Sequence, residues 1–183
     1  MEVDDIALHY LHEHGREPKA CFASDADAHF AAVYDIDLST ITPIVAKPHF
    51  VDNVCPAKEA AGVKIDEAFL GSCNNGRIED LRVGAELLKG RKVHPLVRFL
   101  VVPASQAVYQ QALKEGLLKI FMEAGAIVMN PNCSVCWGSC QGVIGEGETL
   151  ISTGTRNFKG RAGHRDSFVY LASAATVTAS AIK

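Results

Sequence analysis

The sequence predicts an α/β fold built on a mainly parallel sheet. From Ile65 onward, short apolar runs alternate with helical stretches of about 10–15 residues, the pattern of βαβ units. Apolar residues make up 48% of the 183 residues. A chain of this length buries about 70% of its unfolded surface, so a sizeable core is within reach. Glycines and prolines stand where the runs must stop.

The first 64 residues read as scattered short elements. Asp4 to His12 predicts a helix, with Ile6, Leu8, Tyr10 and Leu11 apolar and Gly15 ending it. Ala32–Ile36 and Ile41–Val45 are candidate strands, and Pro43 and Pro48 make the second an edge piece. From residue 65 the pattern sharpens. Ala68-Phe69-Leu70 is a short strand and Gly71 to Gly76 a turn-rich loop. Ile78, Leu81, Val83, Ala85, Leu87 and Leu88 fit a helix closed by Lys89 and Gly90. Leu96 to Val102 is the strongest strand, stopped by Pro103. Ser105 is an expected N-cap for a helix over Gln106–Lys114. Gly116 breaks it, and a further turn or two covers Leu117–Glu123. Ala126–Met129 reads as a third buried strand, and the Ala-rich tail from Ser167 to Ile182 as a packed helix.

Length predicts one domain, an irregular part over 1–64 and a βα core over 65–183. Charged residues are 21% and the net charge is −3, so no basic field attracts nucleic acid or anionic lipid. No apolar run reaches the ~18 residues of a membrane span. The opening MEVDDIALHY is acidic where a signal peptide is basic. These features predict a cytoplasmic protein with no membrane and no nucleic-acid partner. In that compartment six cysteines point to metal or redox chemistry rather than disulfides.

Cys133-Ser-Val-Cys136 is a CxxC, which suits a redox pair, half of a zinc site or two ligands of an iron–sulfur cluster. The glycine-punctuated Trp137–Gly142 that follows is a poor helix, whereas redox pairs open one. Zinc wants four Cys or His ligands, usually as two close pairs, and the chain has one such pair. Cys73 lies in a tight Gly71–Gly76 loop suited to exposing a sulfur. Cys21 and Cys55 read as small buried hydrophobes. Cys140 fits either a fourth ligand or a neighbour. Loops beyond the carboxyl ends of parallel strands host sites, so Cys73 and the Cys133–Cys136 pair can share one sheet edge although 60 positions apart. Arg156 and Arg161 lie in a loop of glycines and small polar residues, Ser152 to Gly163. Their planar forks suit bidentate recognition of carboxylates, and a solvated basic loop is the alternative. The scattered histidines read as surface residues, and no phosphate-binding glycine fingerprint is present.

Together Gly71-Ser72-Cys73-Asn74-Asn75-Gly76-Arg77-Ile78-Glu79-Asp80-Leu81, Val102-Pro103-Ala104-Ser105, Cys133–Cys136 and Ser152–Gly163 resemble the aconitase superfamily in order and spacing. The resemblance is to its 3-isopropylmalate dehydratase branch of large subunits and their homoaconitase-like relatives, and runs from about Asp4 to the end. It implies a three-layer α/β/α domain of aconitase type. It also implies a [4Fe–4S] cluster held by Cys73, Cys133 and Cys136, with Cys140 outside the ligand set. The fourth iron lacks a protein ligand, which is why three thiolates suffice. Arg156 and Arg161 match the family's substrate-binding arginines, and the implied substrate is a small hydroxy-carboxylic acid. The implied reaction is a reversible dehydration and rehydration, a step of leucine biosynthesis in the isopropylmalate branch. The implied partners are a small, swivel-domain subunit and upstream large-subunit domains. No residue of this chain is assigned as the proton-abstracting base, which the family carries on the swivel domain. The chain alone is therefore expected to bind a cluster poorly and turn over little. Thr155 departs from the family's Asn-Arg-Asn pattern at Thr155-Arg156-Asn157. Three alternatives stand beside this reading: a homoaconitase- or aconitase-type fragment, a non-catalytic cluster or zinc module, and a thiol–disulfide oxidoreductase using Cys133 and Cys136.

Overall fold

Ala68, Phe69 and Leu70 form an interior strand of the sheet because a continuous apolar run satisfies a strand covered on both faces. The computed structural model describes residues 3–182 and divides into two units, one reaching to Ile41 and the other beginning at Thr42. In the first unit, helix α1 (Asp5–Glu13) is capped by Asp4, whose carboxylate accepts from the Ala7 N–H at 2.8 Å. A 3-10 turn at Leu38–Thr40 is capped in the same way by Asp37. The strand expected over Ala32–Ile36 does not form. Val33, Tyr34 and Ile36 are 77%, 83% and 70% exposed. A strand needs a ladder partner for its N–H and C=O groups, and this segment has none among the described residues.

The second unit holds a seven-stranded mixed sheet: β1 (Ile44–Ala46), β2 (Val54–Pro56), β3 (Glu67–Gly71), β4 (Arg98–Val102), β5 (Ile127–Val128), β6 (Thr149–Ser152) and β7 (Phe168–Ala172). Its order is β2-β1-β7-β6-β3-β4-β5. The five strands from β7 to β5 are parallel, and β1 is antiparallel to both its neighbours. The expectation of an α/β fold on a mainly parallel sheet holds.

Several boundaries differ from expectation. β1 is interior, not an edge. Pro43 precedes it and Pro48 follows it, so neither removes a ladder donor. β4 begins at Arg98 because residues 94–97 turn, with the Val97 N–H bonded to the His94 carbonyl at 2.9 Å. β5 is a two-residue edge strand, with Ile127 50% exposed rather than buried. The tail expected as one helix opens with β7. Phe168-Val169-Tyr170-Leu171 is an aromatic and branched run that pairs with β6, and only the Ala-rich remainder coils.

The helices are α2 (Ser72–Asn75), α3 (Ile78–Leu88), α4 (Gln106–Lys114), α5 (Leu117–Ala124) and α6 (Ala174–Ile182). Ser105 caps α4 as expected, its hydroxyl accepting from the Val108 N–H at 3.2 Å. On one face of the sheet, Leu81, Ala85 and Leu88 of α3, Phe121 of α5 and Val177 and Ala181 of α6 pack on Leu70, Phe99 and Val101. Gly84 permits the close approach there: a Cβ would stand 2.7 Å from Leu70 Cδ2 and 3.2 Å from Thr178 Oγ1. On the other face, Phe69, Leu100, Val102, Leu150 and Val169 are covered by Val135, Ile144 and Ala162, which lie on the cysteine and arginine segments. Each large side chain buried this way contributes about 1.5–3 kcal/mol. The segments bearing the site residues are thus a layer of the core.

Candidate functional site

Parallel strands point their carboxyl ends to one edge, so the loops after β3, β4, β5 and β6 emerge side by side. After β3 the chain turns through Ser72 into the single turn of α2, where a loop was expected. Gly71 and Gly76 lie against the end of β4, and a Cβ on either would meet the Val102 carbonyl oxygen at 2.4 Å. The Ala104 N–H donates to the Gly76 carbonyl at 2.8 Å. Ser72 has φ +73°, a left-handed conformation that a serine adopts only at a cost of about 1–3 kcal/mol. It presents Cys73 at the surface.

β5 is at the edge of the sheet, so its loop must cross β4 to reach the same place. Val135 anchors the crossing, fully buried against the apolar face that Leu100 and Val102 line. Around it, a 3-10 turn over Ser134–Cys136 is set by Asn132, whose side-chain carbonyl accepts from the Ser134 N–H. Ser134 has φ +44° and its hydroxyl donates to the Gln141 carbonyl at 2.8 Å. Two serines in the left-handed region therefore adjoin two of the predicted ligand cysteines. Cys133 and Cys140 are exposed and Cys136 is partly buried.

The arginine loop follows β6 and is bonded to the Cys73 loop. Thr153 donates its N–H to the Phe69 carbonyl at 3.0 Å, and its hydroxyl accepts from the Gly71 N–H at 2.9 Å. The Asn75 amide donates to the Thr153 carbonyl. The same loop meets the cysteine pair. A Cβ on Gly154 would be 4.0 Å from Cys136 Sγ, and one on Gly138 would be 2.3 Å from the Arg161 carbonyl oxygen. Arg161 Nη2 is 4.0 Å from Cys136 Sγ, its guanidinium lies over the Phe158 ring at 5.6 Å, and its buried Nε has no protein partner. Arg156 is exposed and donates to the carbonyl of its neighbour Thr155 at 2.6 Å. Arg82 and Arg98 are neutralised by carboxylates, whereas among the described residues Arg156 and Arg161 pair with none.

Cys55 is buried as expected, at 8% exposure, but Cys21 is exposed, in a unit whose described residues include no buried side chain. Asn157 was not singled out from sequence, yet it is 1% exposed and donates to the Lys47 and Phe50 carbonyls at 2.9 and 3.3 Å. It ties the 47–50 segment to the arginine loop, and its one sequence signal is a polar amide beside Arg156.

Among the described residues, no group of three or more His, Cys, Asp or Glu side chains closes on a single point. A single ion needs ligands at bonding distance from one centre, whereas thiolates of a cluster each bind a different iron. Soft thiols, a glycine- and serine-rich backbone and no carboxylate among the proposed ligands are a donor set that fits an iron–sulfur group.

An α/β domain with three cysteines and two unpaired arginines on loops at the carboxyl edge of its parallel strands is the class these features define. Residues 55–183 match the aconitase family (aconitate hydratase), and the chain belongs to that family. Over its whole length it is 49% identical to the 3-isopropylmalate dehydratase large subunit of Hydrogenobaculum sp. strain Y04AAS1. It is 50% identical to that of Aquifex aeolicus strain VF5, and 47% identical to that of Acetivibrio thermocellus. The chain spans 43% of the length of each of these relatives. No described helix is long and apolar enough to cross a membrane.

Proposed function

We propose that this chain is the cluster-binding part of an iron–sulfur hydro-lyase acting on an isopropylmalate-like hydroxy acid. The observation that carries the reading is the Arg161 guanidinium, unpaired with any carboxylate among the described residues and 4.0 Å from the sulfur of Cys136. A cation beside a thiol also suits a redox pair, whose thiolate it stabilises. A second arginine on the same loop, Arg156, likewise without a carboxylate partner among the described residues, favours a carboxylate-bearing substrate, which neither a zinc staple nor a redox pair needs.

Cys73, Cys133 and Cys136 would hold a [4Fe–4S] cluster, and Cys140 would not. When bound, that group supplies a Lewis acid that polarises the substrate's C–OH bond. Arg161, held over Phe158 and by its partly buried setting, would take one substrate carboxylate in a fixed orientation. Arg156, exposed at the rim, would take the other. Thr153 and Asn75 would keep the arginine loop and the Cys73 loop in register through their hydrogen bonds. No side chain here is assigned as the base, so turnover would need the small, swivel-domain subunit and the upstream large-subunit domains. We place the cluster-binding core at residues 65–183 and the protein in the cytoplasm, a reducing compartment that suits six cysteines none of which is paired in a disulfide.

Anaerobic reconstitution with iron and sulfide tests the reading. About four iron and four acid-labile sulfides per chain, with a broad visible absorption lost in Cys73→Ser, support it. Stoichiometric zinc binding with neither iron nor sulfide retained overturns it.

A further inference from the structure

On the sheet face covered by the cysteine segment, Glu67 opens β3 with its side chain 0% exposed. A buried carboxylate needs donors on both oxygens. Oε2 accepts from Arg98 Nε at 2.9 Å, but Oε1 has no hydrogen-bond partner. The remaining edge of Arg98 is committed elsewhere: Nη1 and Nη2 donate to the two oxygens of Glu148 at 2.9 and 2.8 Å. Glu148 also accepts from the Gly145 N–H at 2.7 Å. One guanidinium is thus divided between two carboxyl groups. The roof over Oε1 is Gly142, at φ +82°, where a Cβ would stand 3.5 Å from that oxygen and 2.1 Å from Leu100 Cδ1. Gly142 lies near the end of the segment that carries Cys133, Cys136 and Trp137.

We infer that Glu67 is a positioning residue for the Cys133–Ile144 segment: its neutral carboxyl supports the seat of Gly142 on Leu100, and its ionisation loosens that seat. A charged Oε1 without a donor must draw in water or part from its neighbours, and Gly142 is the neighbour on a loop rather than a strand. Burial pushes the Glu67 carboxyl up to about 7, with the Glu148 charge adding to the rise and the Arg98 hydrogen bond opposing it. The segment itself carries the free thiols of Cys133, Cys136 and Cys140, with Cys136 adjacent to Trp137, so the Glu67→Gln comparison is what separates the carboxyl from them. Asp66 accepts from the Thr149 N–H at 2.9 Å and lies 3.7 Å from Lys64. His164 and Asp166, on the segment bonded to Ile144, lie 4.0 Å apart. This inference concerns the metal-free segment and does not depend on the proposed activity.

Trp137 is the only tryptophan in the chain and is 60% exposed, so its emission reports on this segment without a label. The metal-free, reduced chain is titrated from about pH 5 to about pH 9. The expected result is a sigmoidal change in Trp137 emission with a midpoint near 7. The change is expected to vanish in Glu67→Gln, which keeps the shape and removes the charge, and to survive in His164→Gln. A midpoint that persists in Glu67→Gln, or that disappears in His164→Gln, overturns the inference. Should Glu67→Gln not fold, amide hydrogen exchange of Gly142–Ile144 in the native chain decides it. Protection, corrected for the intrinsic effect of pH, is expected to fall severalfold across the same midpoint. Protection independent of pH overturns it.

Discussion

Arg161 Nη2 lies 4.0 Å from the sulfur of Cys136, although 25 residues separate them in the chain. The contact exists because two loops from non-adjacent strands, β5 and β6, meet over β3 and β4. Val135 pins one loop to the core, and Gly138 lets it settle on the backbone of the other. A cationic fork beside a cysteine sulfur is the arrangement on which the functional reading depends.

Replacing that fork tests it most directly. Arg161→Lys is expected to leave iron content unchanged and weaken binding of a branched hydroxydicarboxylate. An ammonium cannot reproduce two parallel N–H donors, and loss of one charge-assisted bond is worth about 2 kcal/mol, roughly thirtyfold in affinity. Calorimetric titration of the complete enzyme, with its upstream domains and small subunit, measures it; equal affinity would remove Arg161 from the carboxylate role.

The ligand assignment has its own test. Cys73→Ser, Cys133→Ser and Cys136→Ser are each expected to lose the reconstituted iron, while Cys21→Ser and Cys140→Ser retain it. Metal analysis after desalting reads the outcome. Equal iron in all five variants would remove the assignment.

Gly138 supports the contact through space rather than chemistry. Its φ is +74°, and a Cβ there would stand 2.3 Å from a backbone oxygen that cannot swing aside. Gly138→Ala is therefore expected to displace the cysteine segment, shift Trp137 emission and reduce cluster retention, with the far-ultraviolet circular dichroism unchanged. Native emission with native retention would show that the loop tolerates the extra atom.

Asn157 holds the 47–50 segment through two hydrogen bonds from a buried amide. Asn157→Ala leaves two carbonyls without their donor, and the expected loss of stability is about 1–3 kcal/mol. A lower urea midpoint with an unchanged slope is the signature, and no change in midpoint would place the segment under other control.

Stability itself should depend on pH through Glu67. Its ordinary value is 4.5 and its folded value about 7, so between these the folded state holds a proton that the unfolded state has released. Stability then falls as pH rises through that window, and the loss is complete above about 7. A shift of this size corresponds to roughly 3 kcal/mol at most. Urea midpoints taken across the window should fall in the native chain and flatten in Glu67→Gln; parallel curves would count against the raised value.

Much of the βα core was legible in the sequence because its signals are local. Ser105 caps the helix it was expected to cap, and a helix forms where Asp4 to His12 was read, with Asp4 as its cap instead of its first residue. α3 closes at Leu88 before Lys89 and Gly90, and β3 and β4 sit in apolar runs read as strands. The segments misread were those whose state depends on a distant partner. Ile44–Ala46 is interior only because β2 and β7 both come to it, and Ala32–Ile36 finds no ladder at all. β7 was absorbed into the tail helix because its alanines dominate the composition while its pairing with β6 is invisible locally.

What the sequence by itself determined is the family, which the match over residues 55–183 bears out, and the inventory of three thiols and two arginines from which the site is proposed. What only the tertiary structure decided is which of those groups meet. The strand order brings the loops after β3, β5 and β6 to one edge, seats Gly138 on Arg161 and leaves Glu67 buried with one oxygen unpartnered. Strand order is set by long-range packing and ladder pairing, and no short stretch of residues encodes either.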